Sequence, residues 1–330
     1  MSINVTNLTK LYGDKRAIDN ISFEVHSGEI IGFLGPNGAG KTTTMRVITG
    51  YLLPTQGSVE VLGKSVQDHS REVRRLIGYL PENNPLYSDM NVLESLEFSA
   101  LLNGVSRGTV TRCVREMVGV CGLGEVKHMD IGQLSKGYRQ RVGLAQAMIH
   151  DPKVLIMDEP TSGLDPNQIV EIRNLIRQLG REKTVVLSTH ILPEVQASCS
   201  RVIIVSKGKI VADGSTNELQ SRFQGNEQYF VEMEKPDGDS SGTLRAHLQS
   251  IPSISSVESL GELEGVVKFR IETTRGVDIR KQLFQLSVSK KWTLLELHRE
   301  QTSLEDVFHE LTVDSSQRIE SSATRSAEAS

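Results

Sequence analysis

Residues 35–42 read Gly35-Pro36-Asn37-Gly38-Ala39-Gly40-Lys41-Thr42 and fit G-x-x-x-x-G-K-[ST] in full. Glycines at this spacing let backbone N–H groups close around phosphate oxygens. The segment follows an apolar stretch, EIIGFL, and opens a helical one, so the positive end of a helix faces the same oxygens. Lys41 then reaches the outer phosphates, and the hydroxyl of Thr42 suits a Mg²⁺ ion held between them. Thr43 completes the cradle.

A second group lies downstream. Val154-Leu155-Ile156-Met157-Asp158-Glu159 is an apolar run ending in two carboxylates. A parallel sheet binds ligands beyond the C-terminal ends of its strands, so Asp158 is expected in the same crevice as Lys41. Asp158 suits the metal shell, directly or through water. Glu159 is placed to polarise an attacking water. Phosphate cradle, metal and water together describe nucleoside triphosphate hydrolysis, but kinases, GTPases and transport ATPases share these parts.

Further segments narrow the class. Leu134-Ser135-Lys136-Gly137-Tyr138-Arg139-Gln140 precedes the acidic strand, Ser162-Gly163-Leu164-Asp165 follows it, and His190 ends LSTH. With these five ordered segments, residues 1–220 resemble the ATP-binding-cassette (ABC) superfamily. The resemblance implies ATP and Mg²⁺ as ligands, with Tyr12 stacked on adenine. It makes Ser135 and Gly137 a signature loop that binds the γ-phosphate of an opposite subunit. His190 becomes a γ-phosphate switch, and Asp165 lies in the loop joining two active sites. Plainer uses stand beside these: Ser135 also suits a helix N-cap, and Tyr12 a packed strand end. One set of motifs per chain implies pairing with a second copy or with a similar ATP-binding subunit.

Two residues depart from the family pattern. The signature is LSKGY where LSGGQ is usual, which adds the cation Lys136. Glu82, in Gly78-Tyr79-Leu80-Pro81-Glu82, stands where a glutamine is usual. A carboxylate can still face Mg²⁺ or water there, but it adds negative charge and loses a donor. Glu82 after YLP, LSKGYRQR and the ending Ser303-Leu304-Glu305-Asp306-Val307-Phe308 resemble an exporter-type subset of ABC ATPases. Within it, IGYLPENNPLY and LAQAMIHDPKVLIMDEPTSGLDPNQ are most similar to the ATP-binding subunits of bacterial gliding-motility transporters. The subset implies a separate transmembrane permease that docks near Asn83–Tyr87. It also implies a peripheral place on the cytoplasmic face of the cell membrane.

These groups must be positioned by an α/β fold. Short β-branched runs alternate with helical stretches over residues 1–225, and VLIMD and TVVLST are apolar throughout, as parallel strands covered on both faces are. The expectation is a phosphate-loop ATPase domain over 1–225: a mixed sheet, an antiparallel β subdomain and a helical lobe at about 83–150. Strand, helix, strand, strand, helix and strand follow over 226–312, the order of a ferredoxin-like accessory domain. Gly261–Gly265 is expected to be its central hairpin loop. The serine-rich residues 313–330 are expected to be disordered.

Composition excludes several classes. The 330 residues carry 37 basic and 41 acidic side chains, net −4. Residues 1–225 hold 25 and 23, and 226–330 hold 12 and 18, so neither part is basic enough to grip nucleic acid. No segment approaches the roughly 20 apolar residues of a spanning helix, so membrane contact is expected only through the partner. MSINVTNLTK does not read as a secretory signal. Three scattered cysteines suit a reducing compartment. A soluble ABC ATPase acting on ribosomes or nucleic acid is the second reading. Tandem cassettes, a long coiled coil or basic arms would mark it, and the sequence shows none.

Overall fold

The computed structural model describes residues 1–223, 227–234, 240–274, 277–300 and 304–312. In chain order its strands are β1 (Ile3–Tyr12), β2 (Lys15–Val25), β3 (Ile30–Leu34), β4 (Gln56–Val61), β5 (Lys64–Ser65), β6 (Ile77–Leu80), β7 (Val154–Asp158), β8 (Thr184–Thr189), β9 (Arg201–Ser206) and β10 (Lys209–Gly214). Four more follow: β11 (Glu227–Glu234), β12 (Ile254–Leu263), β13 (Val266–Thr273) and β14 (Leu294–Glu300). The helices begin with α1 (Lys41–Ile48), α2 (Ser70–Leu76), α3 (Val92–Leu102), α4 (Arg107–Val120), α5 (Lys136–Met148) and α6 (Pro166–Leu179). They end with α7 (Leu192–Ser198), α8 (Thr216–Phe223), α9 (Ser241–Gln249), α10 (Arg280–Lys290) and α11 (Leu304–Thr312). The described residues form two compact units, Met1–Thr216 with 308–312, and Asn217–Val307.

The first unit is built on a six-stranded sheet, β10-β9-β3-β8-β7-β6. Its five central and far strands pair in parallel, and only the β9–β10 hairpin is antiparallel. That hairpin turns through Lys207 and Gly208, both at positive φ, the geometry of a two-residue turn matched to strand twist. Every residue of β7 and β8 is buried, and period-two alternation sends them to opposite sides. Val154, Ile156 and Val186 join a core with α1 and the antiparallel sheet β2-β1-β4-β5, where Phe23 meets Phe33 with ring centroids 5.5 Å apart. Leu155, Met157, Val185 and Leu187 join a second core with residues of α3, α4, α5 and α6. Covered on both faces, the sheet offers only its strand ends to a ligand. The C-terminal ends of β3, β7 and β8 lie side by side and lead into Gly35, Glu159 and His190.

The second unit runs β11-α9-β12-β13-α10-β14, with sheet order β12-β13-β11-β14 and every pair antiparallel. This is the ferredoxin-like arrangement. Tyr229, Val231 and Met233 alternate into its core with Val267, Phe269 and Ile271, against Leu244, Leu248 and Leu283.

Several elements differ from their sequence expectations. The hairpin loop expected over Gly261–Gly265 is a two-residue turn at Glu264–Gly265, and Gly261 lies inside β12 at an irregular register step. Only Val257 of β12 is fully buried, so no hydrophobic period marked its end. Helix α2, with Val73 alone buried, was hidden by its charge. The expected boundary between 225 and 226 and the expected tail at 313–330 lie outside the described residues.

Candidate functional site

Lys41 is the first residue of α1, and its N-cap is Gly40 at φ 108°. A Cβ on Gly40 would sit 2.6 Å from the Ala17 carbonyl oxygen, and one on Gly35 would sit 2.4 Å from that of Val205. The loop is therefore pressed against its scaffold at these two glycines. Ala39 is buried beneath it: its N–H donates to the Pro36 carbonyl at 3.1 Å, and its own carbonyl accepts from Gly208 N–H at 2.9 Å. The Lys41 ammonium donates to the carbonyls of Gly35 (2.8 Å) and Pro36 (3.3 Å) and stands 3.4 Å from Glu159 Oε1.

Glu159 adopts φ 50°, a left-handed conformation that costs a non-glycine residue energy and clusters at active sites. Its N–H is tied to the Ser188 carbonyl at 2.9 Å. The side chain points back over the loop, with Oε2 2.9 Å from His190 Nδ1. One carboxylate thus bridges Lys41 and His190.

Asp158 is fully buried, and neither of its oxygens has a hydrogen-bond partner. Burial holds its carboxyl above the usual carboxylate range. The hydroxyls of Ser188 and Thr42 lie close enough to moderate this without making a bond of normal geometry, and Glu159 adds to the rise. An orphaned buried carboxylate beside a threonine hydroxyl fits a hard, oxygen-ligated dication. Among the described residues no cluster of three or more His, Cys, Asp or Glu can hold a metal. The other ligands would then be phosphate oxygens and water, as Mg²⁺ prefers.

A stability prediction follows from the sign of that shift. Asp158 binds its proton more tightly folded than unfolded, so its contribution falls as pH rises from the ordinary value through the raised one. Above that window the buried charge is a fixed cost. Asp158→Asn is therefore expected to raise the melting temperature of the nucleotide-free protein at pH 7.5, by about 2–4 °C per kcal/mol relieved. The same variant is expected to lose Mg²⁺-dependent turnover. Differential scanning fluorimetry beside an ATPase assay checks both.

Lys41, Glu159 and His190 line one cleft of about 940 Å³, together with Tyr12, Asn37, Gly38, Thr42, Thr43 and Glu82. Asp158, expected in the same crevice, is fully buried and does not line it. Tyr12 ends β1 with about half its surface exposed, and Lys10 Nζ lies 5.5 Å from its ring centroid. Glu82 is exposed on the wall, just beyond β6. Lys15, Arg16 and Lys207 complete a cationic rim that no spacing in the sequence announced.

Ser135, Gly137 and Asp165 are not in this cleft. They line a separate hollow of about 560 Å³ with Tyr138, Arg141 and Gln168. Ser135 caps α5 by accepting from Tyr138 N–H at 3.3 Å, and Asp165 caps α6 by accepting from Gln168 N–H at 2.9 Å. Gly137 is buried, and a Cβ there would meet the Gln168 side chain at 2.6 Å. The residues of the phosphate cleft and those of the signature loop therefore line two separate hollows of the chain.

Comparison with known proteins shows the family. Residues 18–162 match the ABC transporter family. The uncharacterized ABC transporter ATP-binding protein YxlF of Bacillus subtilis (strain 168) is 35% identical over 306 residues, covering 93% of this chain and 98% of that protein. The Nod factor export ATP-binding protein I of Rhizobium sp. (strain N33) is 35% identical over 246 residues, covering 72% of this chain and 81% of that protein. Among solved structures, the ATP-binding cassette MJ0796, a dimer in a post-hydrolysis state bound to ADP and Pi, is similar with a TM-score of 0.60. It is 26% identical and covers 64% of this chain and 98% of that one. The chain belongs to the ABC transporter ATP-binding proteins, and it is an ATPase of that family.

Proposed function

We propose that this chain is the ATP-hydrolysing subunit of an exporter, acting as a head-to-tail dimer beneath a separate membrane permease. The observation that carries the dimer is the separation of the half-sites: Lys41, Glu159 and His190 line one cleft and Ser135, Gly137 and Asp165 another. A head-to-tail pair of copies, or of this chain and a similar subunit, brings each signature hollow against the other's cleft. Two ATP molecules are then closed between them.

In each half, Tyr12 takes the adenine and the amides of Asn37–Thr43 take the phosphates. Lys41 exchanges its carbonyl partners for phosphate oxygens. Asp158, Thr42 and Glu82 would hold Mg²⁺, which supplies Lewis-acid polarisation of the phosphoryl group when bound. Glu159 accepts hydrogen bonding from the attacking water and orients it. His190 fixes that carboxylate through Nδ1 and turns its other ring edge toward the γ-phosphate. Closure depends on contacts to the γ-phosphate, so its loss reopens the dimer, a population shift driven by differential contacts.

The permease reading is supported by the helical lobe. Tyr51, Tyr87, Phe98, Leu101 and Leu102 are large apolar side chains left exposed. Tyr51 also lines a cleft of about 270 Å³, together with Pro85, Ser99 and Asn103, where Asn84 Nδ2 and His150 Nδ1 are buried without partners. A short helix from a membrane subunit would cover the first group and satisfy the second. No helix among the described residues is long and apolar enough to cross a membrane. In this reading the chain sits at the cytoplasmic face of the cell membrane, beneath a permease that is a separate chain. Export is supported by the named activity of the Nod factor relative. Gliding-motility subunits remain within this class through the segments quoted above, and the net charge of −4 weighs against nucleic acid as the partner.

The test is capture of the tagged Glu159→Gln chain from solubilised membranes of its source, with mass spectrometry. A stoichiometric polytopic membrane protein is the expected partner. Ribosomal or DNA-associated proteins in its place would overturn transport and leave the ATP chemistry standing.

A further inference from the structure

Glu194, in the first turn of α7, is 3% exposed, and among the described residues no Lys or Arg pairs with it. Its carboxylate is instead shared by two threonine hydroxyls. Oε1 accepts from Thr161 Oγ1, and Oε2 accepts from Thr189 Oγ1 at 2.9 Å. Both threonines are buried. The direction of these bonds is set by a third: Ile191 N–H donates to Thr189 Oγ1 at 3.0 Å, so the Thr189 proton is free to face Glu194.

The two threonines stand at chemically important places. Thr161 lies two residues after Glu159, and Ser162 N–H returns to the Glu159 carbonyl at 3.1 Å. Thr189 immediately precedes His190, and its carbonyl accepts from Gly35 N–H at 3.3 Å. A single carboxylate therefore cross-links the loop of the acid to the loop of the histidine, at the root of the phosphate cradle. An apolar side chain would fill the same space without burying a charge, but it would hold neither hydroxyl in place. Glu159 itself sits in a strained backbone conformation, which persists only where surrounding contacts over-determine it.

We infer that Glu194 is a positioning residue: through Thr161 and Thr189 it fixes the separation of Glu159 and His190 that ATP hydrolysis requires. This rests on the roles proposed for Glu159 and His190. It does not touch nucleotide, so its loss acts on turnover and not on ATP affinity.

The test is steady-state ATPase kinetics, per folded molecule, on the full chain. Glu194→Ala and Thr161→Val are expected to lower kcat by about 10–100-fold, the cost of a displaced catalytic group. The KM for ATP should stay within about twofold. Glu194→Gln and Thr161→Ser should recover most of the rate. The glutamine carbonyl still accepts from Thr189 and its amide can donate to Thr161, while serine restores the hydroxyl. If Glu194→Ala does not fold, the valine and serine variants of Thr161 carry the test alone. Unchanged kcat in Thr161→Val and Glu194→Ala overturns the inference, as does a Gln variant no better than Ala. Glu159→Gln in the same assay separates the two levels. Normal turnover there removes the acid that Glu194 is said to position, whereas a dead Glu159→Gln beside a normal Glu194→Ala sinks the positioning role only.

Discussion

Glu159→Gln is expected to lower kcat for ATP by about 100–10,000-fold, the contribution of a well-placed general base. The amide keeps the size of the carboxylate and one acceptor oxygen, but it cannot take a proton from water. Binding should persist, because the phosphates are held by amides and Lys41 and not by this side chain. Removing the charge also relieves an anion 3.4 Å from Lys41 Nζ, which frees that ammonium for phosphate. ATP affinity in Glu159→Gln should therefore equal or exceed that of the native chain. Calorimetric titration with ATP, beside single-turnover hydrolysis, reads both. Normal turnover would remove Glu159 from the chemistry.

Lys41→Ala acts on the other half of the cycle. The ammonium is buried and makes its bonds to two carbonyls of the loop that it serves. Only a phosphate offers it a better partner in the same place. Hydrogen bonds to charged groups contribute about 1.5–3 kcal/mol, so affinity for ATP should fall about 10–150-fold. The substitution also leaves Glu159 without its cation, so the loss should grow when nucleotide brings further negative charge into the cleft. Calorimetry at fixed Mg²⁺ measures it. An unchanged Kd would mean that the loop amides alone hold the nucleotide.

The site was legible where one short segment carries both geometry and chemistry. Gly35–Thr42 encodes a turn, close backbone approach and a cation together, so its spacing alone placed it at the end of a strand. Asp158 and Glu159 were legible because the four apolar residues Val154–Met157 of β7 read as a covered strand that ends at the acids. The separation of Ser135 and Asp165 from Lys41 was implied by family likeness, since no spacing shows which faces two loops occupy. Glu194 carried no signal. It is a single acid in a short helix, and its role arises from Thr161 and Thr189, which lie 33 and 5 residues away. The cationic rim of Lys15, Arg16 and Lys207 was hidden for the same reason, because two hairpin turns distant in sequence meet over one cleft. In the second unit, Gly261 misled the hairpin expectation because β12 exposes nearly all its side chains and so lacks a buried period.

The dimer with ATP closed between unlike faces is the centre of this account, and the mass of Glu159→Gln in solution tests it most directly. Sedimentation equilibrium without nucleotide should return the chain mass of 36.4 kDa, and saturating ATP with Mg²⁺ should double it. Arginine in place of Ser135, which fills the signature hollow without touching Lys41, should hold the mass at the single-chain value while ATP still binds. A Glu159→Gln chain that binds ATP and remains at 36.4 kDa would contradict the shared-site mechanism.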